Sequence, residues 1–256
     1  MTIPLSWASL EVFQDCKLRW KLQYLDDIRL PVNQKPFLVG SAVHDTLEEW
    51  YRAGWEPGFV KANIQRIFDA TVRERSIRLS KEETRKYGAR AAHAARIAES
   101  IYLQMEFPQR DVSVETRFDL DYLDGVAKLR GAWDVLDPSR EAIFDLKTSV
   151  ARPSGKPGQL LTYGVAASLS GMVAREGAFI YPLLSPTIVP VSLSEQRLAE
   201  HRQVLDSMVM EIASGGLEWN PSTGSHCLRC PYYRTQHCPV TLREGAPEED
   251  GEFPTD

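Results

Sequence analysis

The spacing of apolar residues along this 256-residue chain changes once, at Pro108, and that change limits the fold more than any other feature. Upstream, apolar residues recur every three or four positions, as on one face of a helix; downstream they alternate, as on half-buried strands. Residues 5–26 read as an amphipathic helix, with Leu10, Phe13, Leu18, Trp20 and Tyr24 at helical spacing and Ser6 or Ser9 as its cap. FLVGSAVHDTLEEWYRAG reads as a second helix, from near Gly40 to Gly54. Residues 58–107 read as two longer helices, with ARAAHAARIAESIYLQM the clearer. After Pro108, VSVETRFDL, GVAKLRGAWDVLD and EAIFDLKT are three strands of an antiparallel meander, with Pro138-Ser139 turning the chain before the third. GQLLTYGVAASLSG is then a helix, GAFIYPL and TIVPVSL are short strands, and SEQRLAEHRQVLDSMVMEIASGG is a long amphipathic helix. The class is α/β (α+β), without internal repeats.

Composition narrows the class further. With 43% hydrophobic and 25% charged residues the chain is neither disordered nor collagen-like nor a coiled coil. No stretch approaches the roughly 20 apolar residues of a membrane span. The N-terminus lacks a basic segment followed by an apolar one, which predicts a cytoplasmic protein. The net charge of −5 is concentrated in TLREGAPEEDGEFPTD, which holds one Arg and six acids and reads as a disordered tail. Residues 61–110 carry eleven Lys/Arg against six Asp/Glu. A basic helical region on a neutral body can touch phosphates, although a solvated helix face explains the same charges.

Cys16 stands alone, whereas Cys227, Cys230 and Cys238 cluster in HCLRCPYYRTQHC. In a cytosolic chain such a pattern reads as metal binding, because disulfides are disfavoured there. A redox C-x-x-C would open a helix in a βαβ unit, and this one follows the last long helix in a Pro-flanked loop. Four thiolates complete either a tetrahedral zinc site or an iron–sulfur cluster, and His226 and His237 flank the trio as alternative zinc ligands.

The densest chemistry lies in GAWDVLD and IFDLKT. Asp145 and Lys147 are two apart on a strand, so they share a face, and Asp134 can lie beside Asp145 across a hairpin. Two carboxylates and an ammonium on one sheet edge make a hard-cation site suited to phosphodiester hydrolysis. Alone, D-x-K is common on exposed strands; here the strand is strongly apolar and a second Asp sits at hairpin distance. His44 in GSAVHDTLE lies on an early helix, and Gln159 and Tyr163, four apart, share one face of the helix after the third strand.

In its SWASLEVFQDCKLRWKLQYL, GSAVHDTLE, GAWDVLD, IFDLKT, QLLTYG and CLRCPYY segments, with Cys238, the chain resembles the PD-(D/E)XK nuclease superfamily. The likeness is to its RecB-like exonucleases with an iron–sulfur cluster, which include CRISPR-associated adaptation exonucleases and AddB-type nuclease domains. It covers roughly residues 5–240. It implies a restriction-endonuclease-like core with a mixed central sheet flanked by helices, an N-terminal helical part and a C-terminal cysteine-cluster loop. It implies Mg²⁺ or Mn²⁺ on His44, Asp134, Asp145 and the Leu146 carbonyl, and gives Lys147 the positioning of the attacking water. Gln159 and Tyr163 would stand beside the site and the DNA backbone, and Cys16, Cys227, Cys230 and Cys238 would hold a [4Fe–4S] cluster, with zinc the alternative. The chain departs from the pattern in its C-x₂-C-x₇-C spacing, longer than usual, and in Trp133, where small or aliphatic residues are more typical.

The expected organisation is a helical region at 1–110, a nuclease core at 111–215, a cysteine segment at 216–240 and the acidic tail at 241–256. The expected activity is a metal-dependent DNA exonuclease. The first alternative is a non-catalytic DNA-end-binding subunit of a helicase, recombination or CRISPR adaptation complex; a zinc-ribbon-like adaptor is the second. No G-x-x-x-x-G-K-[ST] motif is present, so unwinding falls to a partner such as a helicase or recombination protein. Ring-forming relatives make an oligomer conceivable.

Overall fold

The structure is a computed structural model that describes residues 2–150, 155–185 and 187–240; the acidic tail at 241–256 lies outside them. Its centre is a six-stranded mixed sheet. Strand β2 (Ser113–Tyr122) pairs antiparallel with β3 (Ala127–Asp137) from Ser113↔Leu136 to Tyr122↔Ala127, filling one edge of β3. The other edge is shared. Strand β1 (Ile3–Leu5) runs parallel to its first residues, at Ala127–Leu129, and β4 (Ala142–Leu146) runs antiparallel to its last, at Val135–Asp137. Strand β5 (Glu176–Ile180) then lies parallel to β4, and β6 (Ile188–Ser192) antiparallel to β5.

Helices cover both faces. On one, α3 (Lys35–Arg52), α4 (Phe59–Glu74) and α5 (Lys81–Gln104) bury Leu38, Leu47, Trp50 and Phe68 against Val135, Phe144, Leu146 and Ile180. On the other, α1 (Trp7–Asp15), α6 (Pro157–Leu169) and α7 (Glu195–Ala213) bury Leu10, Leu160 and Val209 against Leu129, Trp133, Ile143 and Phe179. Adjacent residues of β4 and β5 thus enter opposite cores, which is why IFDL reads as continuously apolar.

Two expectations need correction. Residues 5–26 are not one helix. The chain enters through β1, and α1 ends at Cys16, whose φ of −162° is extended. Cys16 Sγ then accepts the Arg19 N–H at 3.4 Å and caps α2 (Lys17–Trp20), which runs into a π-helical turn at Lys21–Leu25. The helical spacing survives because α1 and α2 bury the same side; only the bend is invisible in it. The second helix begins at Lys35, five residues before Gly40, because Pro36 fits a first helical turn. Ser6 is the cap of α1, in a reciprocal box with Ser9.

Candidate active site

The β3–β4 ladder ends at Val135↔Phe144. The next pair in register is Asp134 and Asp145, and there the strands part: Asp134 Oδ2 accepts the Leu146 N–H at 2.7 Å instead of a strand carbonyl doing so. Across the other edge of β3, the pairs Val114↔Val135 and Thr116↔Trp133 leave Glu115 opposite Asp134, without a ladder partner and with a left-handed φ of 48°. The side-chain alternation switches phase at this level. Phe118 and Tyr122 enter one core and Val114 the other, just as Trp133 and Val135 do on β3. A non-glycine residue in that conformation costs about 1–3 kcal/mol, and such strain collects at functional sites.

His44 of α3 closes the cluster. Its Nδ1 is 2.5 Å from Glu115 Oε1 and 3.8 Å from Asp134 Oδ1, and its Nε2 is 3.2 Å from the Leu146 carbonyl. Among the described residues, His44, Glu115 and Asp134 form the one group whose ligand atoms all lie within 4.8 Å. Burial works against a charged imidazole, but Asp134 and Glu115 outweigh it and push the His44 pKa up to about 10.

Asp145 stands beside this cluster, 1% exposed. Burial and the neighbouring Asp134 charge push its carboxyl up to about 7, against the pull of Lys147. Burial likewise raises Asp134, partly offset by His44. Lys147 Nζ lies 2.7 Å from Asp145 Oδ1 as an ion pair, and that oxygen is sealed from solvent. The other oxygen, Oδ2, accepts from Gln159 Nε2 at 2.7 Å, and the same amide donates to the Tyr163 hydroxyl at 3.0 Å. Burial and the carboxylate field hold the Tyr163 phenol above its ordinary range, so it stays protonated.

The structure therefore brings His44, Asp134, Asp145, Leu146, Lys147, Gln159 and Tyr163 to one place. Sequence reasoning missed Glu115. Its signal was an acid in an apolar-flanked strand, but only the β2–β3 register reveals that it faces Asp134. Trp133, unusual in sequence, has a local reason: its indole N–H donates to the Tyr163 carbonyl at 3.2 Å and its ring packs 4.6 Å from that of Phe118. Gly131 completes this arrangement, because a Cβ there would meet the Phe118 ring at 2.5 Å.

Three carboxylates, one imidazole and a carbonyl form a mainly hard-oxygen donor set, which fits a divalent ion such as Mg²⁺ or Mn²⁺.

The cysteines form a second locality. Cys227, Cys230 and Cys238 each sit at a turn, their N–H groups bonding to Gly224, Cys227 and Thr235 carbonyls at 2.9, 3.0 and 3.2 Å. Burial pushes the Cys230 thiol up, and Cys16 is near enough to add to the rise. The ends of the chain are also tied by the Tyr232 hydroxyl, which donates to the Ile28 carbonyl at 2.6 Å, and by Trp20 stacked on Trp219 at 5.8 Å. Among the described residues no three cysteine sulfurs lie within 4.8 Å of one another. The four sulfur donors suit an iron–sulfur cluster or a zinc ion in kind.

A mixed sheet whose strands part at two buried acids, with a lysine two residues beyond the second, is the arrangement of a nuclease core. The chain belongs to the PD-(D/E)XK nuclease superfamily, whose sequence profile matches residues 4–237. A solved protein from Eubacterium rectale, described as a candidate exonuclease, has a similar fold. It aligns with TM-score 0.59 and 16% identity over 93% of this chain and 90% of its own. SSO0001 aligns at TM-score 0.32 and 13% identity over 84% of this chain and 92% of its own, too distant to carry an argument. No curated protein sequence matches. Among the described residues no helix is long and apolar enough to cross a membrane.

Proposed function

We propose that this nuclease is a Mg²⁺- or Mn²⁺-dependent exonuclease that hydrolyses phosphodiester bonds from DNA ends, with a structural [4Fe–4S] cluster. The observation that carries the reading is the convergence of His44, Glu115 and Asp134 on a 4.8 Å locality beside the Asp145–Lys147 pair.

His44, Glu115, Asp134 and Asp145, with the Leu146 carbonyl, would hold the divalent ion. Bound there, it would neutralise phosphate charge and make water acidic enough to attack. Lys147 supplies a point charge that orients the water or a phosphate oxygen, and the buried Asp145 keeps its ammonium in place. The water oxygen bonds to phosphorus as it loses a proton, and the departing ester oxygen takes one up. Gln159 fixes the Asp145 rotamer, while the protonated Tyr163 hydroxyl offers a donor to the DNA backbone. Cys16, Cys227, Cys230 and Cys238 would hold the cluster and clamp the first helices to the C-terminal segment, a structural role. Duplex opening would come from a partner, such as a helicase or a recombination protein.

The test is cleavage of end-labelled linear and covalently closed circular DNA, single- and double-stranded, with Mn²⁺, Mg²⁺ or EDTA, alongside Asp145→Ala. Metal-dependent loss of linear DNA alone, absent in the variant, supports the reading. Cleavage of the closed circle would make it an endonuclease, and no cleavage by folded, iron-loaded protein would favour the DNA-end-binding subunit.

A further inference from the structure

We propose that Phe37 is a stacking platform for a base of the single strand entering the site, one to three nucleotides from the scissile phosphate. This subsite rests on the nuclease reading above. Phe37 is 59% exposed, in the first turn of α3. A lone exposed apolar side chain is common on protein surfaces; three observations single this one out.

The first is direction. Phe37 and His44 are seven residues apart, so they lie on one stripe of α3 about 10 Å apart along the axis. His44 ends that stripe inside the carboxylate cluster. Between them lies Gly40, where a Cβ would come within 3.2 Å of Thr148 Oγ1, the residue after Lys147. The stripe therefore follows the strand end that carries Lys147 and emerges at Phe37. A stacked strand advances about 3.4 Å per nucleotide and a stretched one further, so about 10 Å corresponds to one to three nucleotides.

The second is rigidity. Pro36 stands in the first turn, and the Phe37 N–H bonds to the Gln34 carbonyl at 3.1 Å. The ring is presented on a fixed backbone, and ordering a base on it costs little chain entropy.

The third is charge. Lys35 Nζ reaches Glu83 Oε1 at 2.5 Å, which brings the start of α5 beside the start of α3. There Lys81, Arg85 and Lys86 are exposed and form no ion pair among the described residues. These cations, with one exposed acid, Glu82, among them, sit on the helix whose start is joined to that of α3, and a nucleic-acid strand that stacks a base on Phe37 can meet them with its phosphates. An apolar partner protein would gain nothing from those cations.

The experiment uses the full chain and two substrates, single-stranded DNA and bis(p-nitrophenyl) phosphate, the latter too small to reach Phe37 from the cation site. Phe37→Ala should raise KM for the strand about tenfold with kcat kept, leave the small ester unaffected, and be rescued by Phe37→Trp. In EDTA, strands carrying 2-aminopurine at successive positions should lose Phe37-dependent quenching in the Ala variant. Unchanged KM and quenching in Phe37→Ala would overturn the subsite. Equal losses on both substrates with a lowered melting temperature would also overturn it, as a packing role. If the wild type cleaves neither substrate while quenching still depends on Phe37, Phe37 stacks a base, but the nuclease reading falls and the subsite's place relative to a scissile phosphate falls with it.

Discussion

The Asp134 carboxylate accepts the backbone N–H of Leu146 at 2.7 Å, just where the β3–β4 ladder stops. This one bond lets two strands separate without orphaning a buried donor, whose loss would cost about 1–3 kcal/mol. It also leaves the other Asp134 oxygen, 3.8 Å from His44 Nδ1, facing the cluster. Separation of the strands and assembly of the cation site are thus the same structural event.

We expect Asp145→Asn to cut metal-dependent cleavage at least about a thousandfold, about 4 kcal/mol of transition-state stabilisation. The amide is isosteric and still neighbours Gln159, so the circular-dichroism spectrum should match wild type. Activity within tenfold of wild type would remove Asp145 from the site.

Glu115→Gln should weaken Mn²⁺ binding about 10–100-fold, the usual effect of losing a group that orders a ligating histidine or joins it on the ion. Glu115 meets His44 at 2.5 Å and faces Asp134 in register. Calorimetric titration gives the constant, and an unchanged value would make Glu115 a bystander.

Metal binding should tighten as pH rises. Without metal, protons occupy the site, with the His44 pKa pushed up to about 10 and Asp145 to about 7. A cation must displace them, so lowering the pH from 9 to 6 raises the apparent Kd and each binding event releases protons. Titrations in buffers of different ionisation enthalpy count those protons. A pH-independent Kd with no proton release contradicts the shared site.

Cys230→Ser should abolish bound iron and lower the melting temperature by about 6–12 °C. That follows from about 3 kcal/mol for a lost long-loop cross-link at about 2–4 °C per kcal/mol. Iron and sulfide analysis with a thermal melt decides it: zinc in place of iron, or an unchanged melt, counts against the cluster.

Much of this architecture was legible because it repeats a period. The long helices and the meander follow from apolar spacing, and Asp145 with Lys147 from strand alternation. What escaped had no periodic signature. Strand β1 is three residues long and joins the sheet through a partner over 100 positions away. The bend at Cys16 keeps the same buried side before and after it. Glu115 became visible only through register, because its position opposite Asp134 depends on a phase switch that a regular strand would not contain. Local signals thus supplied the elements and the motif residues, and non-local pairing supplied the geometry that unites them.

The last expectation concerns a polar pair outside the carboxylate cluster. Thr162 Oγ1 donates its one proton to the Gly158 carbonyl at 2.8 Å, so His201 Nε2, also at 2.8 Å, must carry a hydrogen and donate to it. Burial lowers the His201 pKa to about 4, so the folded protein keeps this ring neutral. In the unfolded chain the ring titrates near its ordinary value of about 6.5. Between those values the unfolded state binds the extra proton, and stability therefore falls as pH falls through that window and is fully present above it. His201→Gln retains an N–H donor without a titratable ring. Urea melts from pH 8 to pH 4.5 should show wild type losing stability relative to the variant below about pH 6.5. The difference between the two cancels the opposing titration of Asp145, whose raised pKa favours the folded state at low pH. A constant difference across the range would mean that His201 takes up its proton in the folded protein at the same pH as in the unfolded chain.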